Sequence, residues 1–153
     1  MAAPSRRVAV AVWAATFASP VVLAAVALVA RLPPEMPQLR PVFLFLAGAV
    51  AGLGILMSRA LPPRIGGRPG APPGATAFAR SVVAWAILEG AALFPTVAYL
   101  VTGDGWLFLV VGVVLAAHVS LFPGEGRWRA LGGGAAAGRG EPAGGREPDR
   151  MVR

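Results

Sequence analysis

The sequence predicts an all-α protein: a bundle of four transmembrane helices with both termini on the cytoplasmic side. Three observations carry this. Hydrophobic residues make up 56% of the 153 residues and charged residues only 14%, whereas a soluble domain carries about 25% charged residues. The apolar residues are gathered into four runs that approach or reach the roughly 20 residues a helix needs to cross a bilayer. The arginines lie between those runs, concentrated on alternate connections. One membrane domain, residues 1–124, is expected, followed by a disordered basic cytoplasmic tail over 125–153.

The first span, about 8–30, runs from Val8 without a charge and has Pro20 in its middle. The second, about 39–58, has Pro41 in its first turn, where a missing N–H costs little. The third, about 77–101, has Thr76 as its expected N-cap. The fourth, about 105–122, is the shortest; Asp104 is placed to cap its start, and Pro123-Gly124 ends it. Only Thr102-Gly103-Asp104-Gly105 joins the last two spans, so these must form an antiparallel hairpin. Beyond Gly124 the chain becomes rich in Gly, Ala, Pro and Arg, and residues 131–153 lack the apolar content to build a core.

Orientation follows from the arginines. Arg6, Arg7, Arg59, Arg64, Arg68, Arg80, Arg127 and Arg129 fall on one side, and only Arg31 and Arg40 on the other, against Glu35 and Asp104. The excess of positive charge marks the cytoplasmic side. Tyr99 and Trp106 near the outer boundary and Trp128 near the inner one agree with it. A cleaved leader is the alternative for the first span: Ser5-Arg6-Arg7 resembles the start of a twin-arginine signal, and Ala25-Val26-Ala27 offers a cleavage site. The apolar run of about 22 residues exceeds the 7–15 usual for a leader, which favours a retained helix.

The formal charge of +7 is carried by Arg alone, with no Lys. With so much Ala, Gly and Pro, this points to a GC-rich, bacterial coding sequence and hence to the cell inner membrane. Because the arginines flank apolar segments instead of forming one stripe, lipid headgroups and not nucleic acid are the expected partner. There is no Cys, which excludes disulfides, thiolate metal sites and cysteine nucleophiles.

Glu89 is the one acidic residue deep within a span. An ionised carboxylate at that depth is expensive, so the side chain is expected to face protein or water. It serves either as a hydrogen-bonding contact between helices or as a proton or ion site. Aligned by depth, Gly48 of the Gly48-x-x-x-Gly52 pair in the second span, Gly112 of the fourth, and Thr16 and Ser19 of the first fall near its level. The glycines are expected to let helices pack closely, and Pro20 frees the carbonyl of Thr16. His118, the only histidine, is expected about one turn inside the cytoplasmic end of the fourth span, some 9 Å along the axis from Glu89. One His and one deep Glu do not make a metal site. Ser58, Ser81 and Ser120 have no evident general base, and Gly66-Gly67-Arg68-Pro69-Gly70 lacks the Lys-Ser/Thr of a phosphate-binding loop.

The stretch from Arg80 to Gly103, with Ile-Leu-Glu-Gly-Ala-Ala-Leu-Phe at its centre and Leu-Val-Thr-Gly at its end, resembles a group of small uncharacterised bacterial four-helix membrane proteins. The likeness covers about one sixth of the chain and implies no activity. The same helix resembles the carboxylate helix of the rotary ATP synthase c subunit. There a deep carboxylate is followed several positions on by a small residue or proline, as Glu89 is by Pro95, and the preceding helix is Gly-rich, as at Gly48, Gly52 and Gly54. That resemblance implies proton or ion chemistry at Glu89. The connection from Arg59 to Arg80 is much longer than the polar loop of that family, and two further spans flank the hairpin.

The function expected from these readings is that of a non-enzymatic inner-membrane protein, an accessory or structural subunit. It needs no cofactor, and its partners are the lipid bilayer and further copies or other membrane subunits. The alternative is a small transporter or a proton- or ion-coupled subunit using Glu89. A membrane-embedded enzyme ranks last, because no catalytic constellation is visible.

Overall fold

In the computed structural model, residues 5–30, 33–62 and 73–130 are described. They form α1 (Arg6–Ala30), a 3-10 turn (Pro37–Leu39), α2 (Arg40–Ala60), α3 (Pro73–Thr102), α4 (Leu107–Ser120) and α5 (Glu125–Ala130), with no strand among them. Three helices are long and apolar enough to cross a membrane, and α4 is shorter. At 1.5 Å per residue, the 14 residues of α4 span about 21 Å.

Three boundaries differ from the sequence expectation. α3 begins at Pro73, so Thr76 lies inside the helix instead of capping it. Pro at a helix start has φ preset and gives up an N–H that would be unpaired anyway, which makes it a start signal in its own right. Asp104 is not the N-cap of α4, a position held by Trp106 with no side-chain cap bond. Its carboxylate closes the preceding turn, with Oδ1 accepting from Trp106 N at 3.2 Å. Finally, residues 125–130 are helical rather than tail, and Trp128 is 5% exposed and part of the core. Residues 131–153 and the arginines of the α2–α3 connection, Arg64 and Arg68, lie outside the described residues.

α3 is the centre of the bundle, with α1, α2 and α4 packed around it. The core is built on Trp85 and Leu88 and closed by small residues, Ala9, Ala51, Ala84, Ala91 and Ala92, with Val114, Leu121 and Trp128 completing it. The closest helix approach is at Gly54. A Cβ built there would lie 2.6 Å from the Cβ of Ala91, so α2 and α3 meet at a separation only glycine permits. Gly48, Gly52 and Gly112, where close packing is expected from the sequence, face outward, and a Cβ added at any of them would meet nothing within 4 Å. Within the chain, the packing role belongs to Gly54.

Large apolar side chains cover the outside: Val29 is 81% exposed, Phe45 75%, Leu109 60% and Leu56 58%. Hydroxyls inside the helices turn back on their own backbone: Thr16 to Val12 and Trp13, Ser58 to Ile55, Ser81 to Ala77, Thr96 to Ala92, Thr102 to Ala98 and Ser120 to Ala117. Bonds of this kind satisfy these hydroxyl protons without solvent.

The two ends of the bundle differ. At the end with the α3–α4 link, Gly103 adopts φ +69° and ends α3 by donating to Tyr99 O at 2.7 Å. A Cβ there would also press on Pro34 at 3.1 Å. Met36 N donates to Val101 O at 3.0 Å, and Arg40 pairs with buried Asp104 at 3.3 Å. The opposite end holds Arg6, Arg7, Arg59, Arg80, Arg127 and Arg129, with Glu125 as the one acid among the described residues there.

Candidate functional site

The chemistry-bearing groups within the long helices gather near the arginine-rich end, where α4 turns into α5. The last carbonyls of a helix have no partner inside it. Here each from Ala117 to Pro123 is used. Ser120 Oγ donates to Ala117 O, and the N–H groups of Leu121, Phe122 and Gly124 donate to His118, Val119 and Phe122. The others are reached by side chains from elsewhere in the fold. Trp13 of α1 donates its indole N–H to His118 O at 3.3 Å. Trp85 of α3 does the same to Leu121 O at 3.3 Å. Arg127 of α5 reaches Ser120 O at 2.7 Å, and Arg6 of α1 reaches Pro123 O at 3.3 Å. One corner thereby ties α1, α3 and α5 to the end of α4.

His118 sits inside this corner with no exposed surface. Its ring stands edge-on to Trp13 and Phe17, with centroids at 5.8 and 5.6 Å. Phe122 packs edge-on against the other side of Trp13 at 4.9 Å. Nε2 lies 3.4 Å from Thr16 Oγ1. The Thr16 proton is directed at the carbonyl of Val12 or Trp13, so its oxygen is left to accept, and the arrangement favours the tautomer with the proton on Nε2. Nδ1 is buried without a hydrogen-bond partner among the described residues. A polar atom left so costs on the order of 1–3 kcal/mol. Thr16, expected near the level of Glu89, is in contact with His118.

Glu89 is half-buried on α3 and makes no hydrogen bond or ion pair among the described residues. It is one turn from Trp85, and His118 is just under a turn from Leu121. Both therefore lie on the same side of the Trp85–Leu121 bond, toward the α3–α4 link and about one turn or less beyond it. The two side chains make no bond with each other. Pro95 is fully buried in α3 and removes one backbone bond in the helix that carries Glu89.

Sequence reasoning passes over Trp13, Phe17 and Trp85, which wall or anchor this region. The signal is present in Trp13-x-x-Thr16-Phe17, whose spacing puts all three on one face of a helix. No group of three or more His, Asp or Glu side chains able to hold a metal occurs among the described residues.

A cleft of about 510 Å³ lies beside Arg6 and Val10 at the start of α1, and two more lie elsewhere in the bundle. An apolar one of about 370 Å³ runs along α2 and α3 beside Gly54 and Ala91, reaching Val50 and Leu61 at its ends. A second, of about 290 Å³, opens at the arginine-rich end between Arg59, Arg80 and Arg127. No protein-family model, curated protein or solved structure matches the chain.

Proposed function

We propose that the chain is a multi-pass protein of the cell inner membrane, with both termini cytoplasmic, acting as a non-enzymatic accessory or structural subunit. The observation that carries this is the distribution of apolar surface. Every long helix presents large aliphatic or aromatic side chains outward, such as Val26, Phe45 and Leu56, while small residues close the interior. Lipid suits such an exterior, and close packing of small residues suits helix association within it. The orientation rests on the arginine asymmetry.

The second reading, a proton- or ion-coupled subunit, is favoured by one specific observation. Glu89 is a carboxyl within α3 with no protein partner among the described residues, and the neighbouring helix α4 carries a histidine whose Nδ1 is also unpaired.

Because the chain lacks cysteine, single cysteines introduced at Ala71 and at Gly105 test the topology cleanly. An impermeant maleimide should label Gly105→Cys, and not Ala71→Cys, in intact spheroplasts; the reverse pattern inverts the orientation. Purified protein in vesicles with a trapped pH dye separates the two functional readings. The accessory reading expects no proton flux above that of empty vesicles and recovery of the native chain in a larger assembly. A flux abolished by Glu89→Gln would replace it with the coupled reading.

A further inference from the structure

We propose that the cleft at the arginine-rich end is a binding site for a phosphate group, presented by an anionic lipid headgroup or by a soluble phosphate. Three arginines line it from three elements: Arg59 from the last turn of α2, Arg80 from α3 and Arg127 from α5. Arg59 and Arg127 have no acid partner among the described residues. Glu125, the one acid at this end, is taken by Arg6 and by Arg129, each at 3.1 Å.

Donors are available on Arg59 and Arg127. Arg59 makes no hydrogen bond among the described residues. Arg127 spends one N–H on Ser120 O, which fixes its direction and leaves the rest of its five-donor fork. Arg80 is engaged within the protein and contributes charge. The hydroxyls on the walls do not compete as donors, because Ser58 and Ser81 give their protons to Ile55 O and Ala77 O. The chemistry is therefore that of guanidinium groups, whose planar forks match phosphate oxygens. The floor is apolar, formed by Ala84 and Leu121, so a bound group has charged walls and a hydrocarbon base. The cleft, of about 290 Å³, has room for a phosphate group.

The lipid source rests on the membrane reading above, and the soluble source does not. The test uses the full chain in phosphatidylcholine nanodiscs; failure of the chain to enter them would count against the membrane reading itself. Phosphatidylglycerol is then introduced at increasing mole fraction, or inorganic phosphate is added, and binding is read from the rise in thermal midpoint. Wild type should show a saturable rise. Arg59→Gln and Arg127→Gln should each weaken it roughly five- to ten-fold, the size of one arginine–anion interaction at a membrane surface. Arg129→Gln changes net charge equally but lies outside the cleft, so it should leave the response intact. Arg59→Lys keeps the charge without the fork, and should recover only part of the response. A response to the lipid alone identifies a headgroup site, and an equal response to inorganic phosphate a soluble ligand. No response to either, or equal loss in Arg129→Gln, overturns the proposal.

Discussion

Substituting Gly54 by alanine adds a single methyl group at the tightest point of the bundle. The new Cβ would stand 2.6 Å from the Cβ of Ala91 and 3.8 Å from the carbonyl oxygen of Ile87. Ordinary carbon–carbon contact needs about 3.5–4.0 Å, so α2 and α3 must part by roughly 1 Å. A gap of that size forfeits a quarter to a half of each contact along the seam; at about 0.1–0.2 kcal/mol per atom pair over some tens of pairs, the loss is about 1–3 kcal/mol. The companion changes Gly48→Ala and Gly52→Ala meet open space and replace glycine with a better helix former, so they should be neutral or stabilising by up to about 1 kcal/mol. Ala91→Gly removes the opposing methyl and should restore much of the stability lost in Gly54→Ala. The assay is reversible unfolding in mixed micelles, read by tryptophan fluorescence, for the three single glycine variants and the Gly54→Ala/Ala91→Gly pair. Equal destabilisation by Gly48→Ala and Gly54→Ala, or no recovery in the double variant, would refute the reasoning.

Removing an indole N–H by Trp13→Phe or Trp85→Phe should each cost about 1 kcal/mol, and circular-dichroism melts of the two variants and their combination would measure it. Gly103→Ala forces a side chain into the left-handed region and against Pro34; a loss of at least about 1 kcal/mol is expected, read from the same melts. Glu89→Gln keeps the shape and should fold as wild type does, while Glu89→Ala leaves a small void and should lose up to about 2 kcal/mol if the carboxyl bonds a partner in the assembled state. Carbodiimide labelling followed by peptide mapping adds a second readout: modification confined to Glu89 shows that the carboxyl is reachable, and protection on assembly shows what covers it.

The helices are legible in the sequence because each is a largely apolar run ended by Pro, Gly or Arg. Which face of each helix turns inward is not. In a soluble protein, polar residues mark the outside; here Phe45 and Leu56 point outward and are as apolar as the core, so the pattern carries no phase. Gly48, Gly52 and Gly54 look alike in sequence, and only the packing against Ala91 selects the last. Trp128 reads as tail because a single aromatic in a Gly- and Arg-rich run has no periodicity, yet it joins the core. Asp104 stands out in the sequence, but its carboxylate serves the turn and Arg40 instead of the helix start.

The central position of α3 has a consequence for the order of synthesis. α1 packs mainly on α3, and it has little contact with α2. The two segments made first therefore leave the ribosome without a mate, and each must wait through the long connection ending at Pro73. Assembly begins only when the third helix arrives, and it then joins both predecessors in one step. The corner at α4 locks afterwards, since its carbonyl groups receive Trp13 and Trp85 from segments already in place. A chain halted before α3 would hold two helices without the element on which both pack.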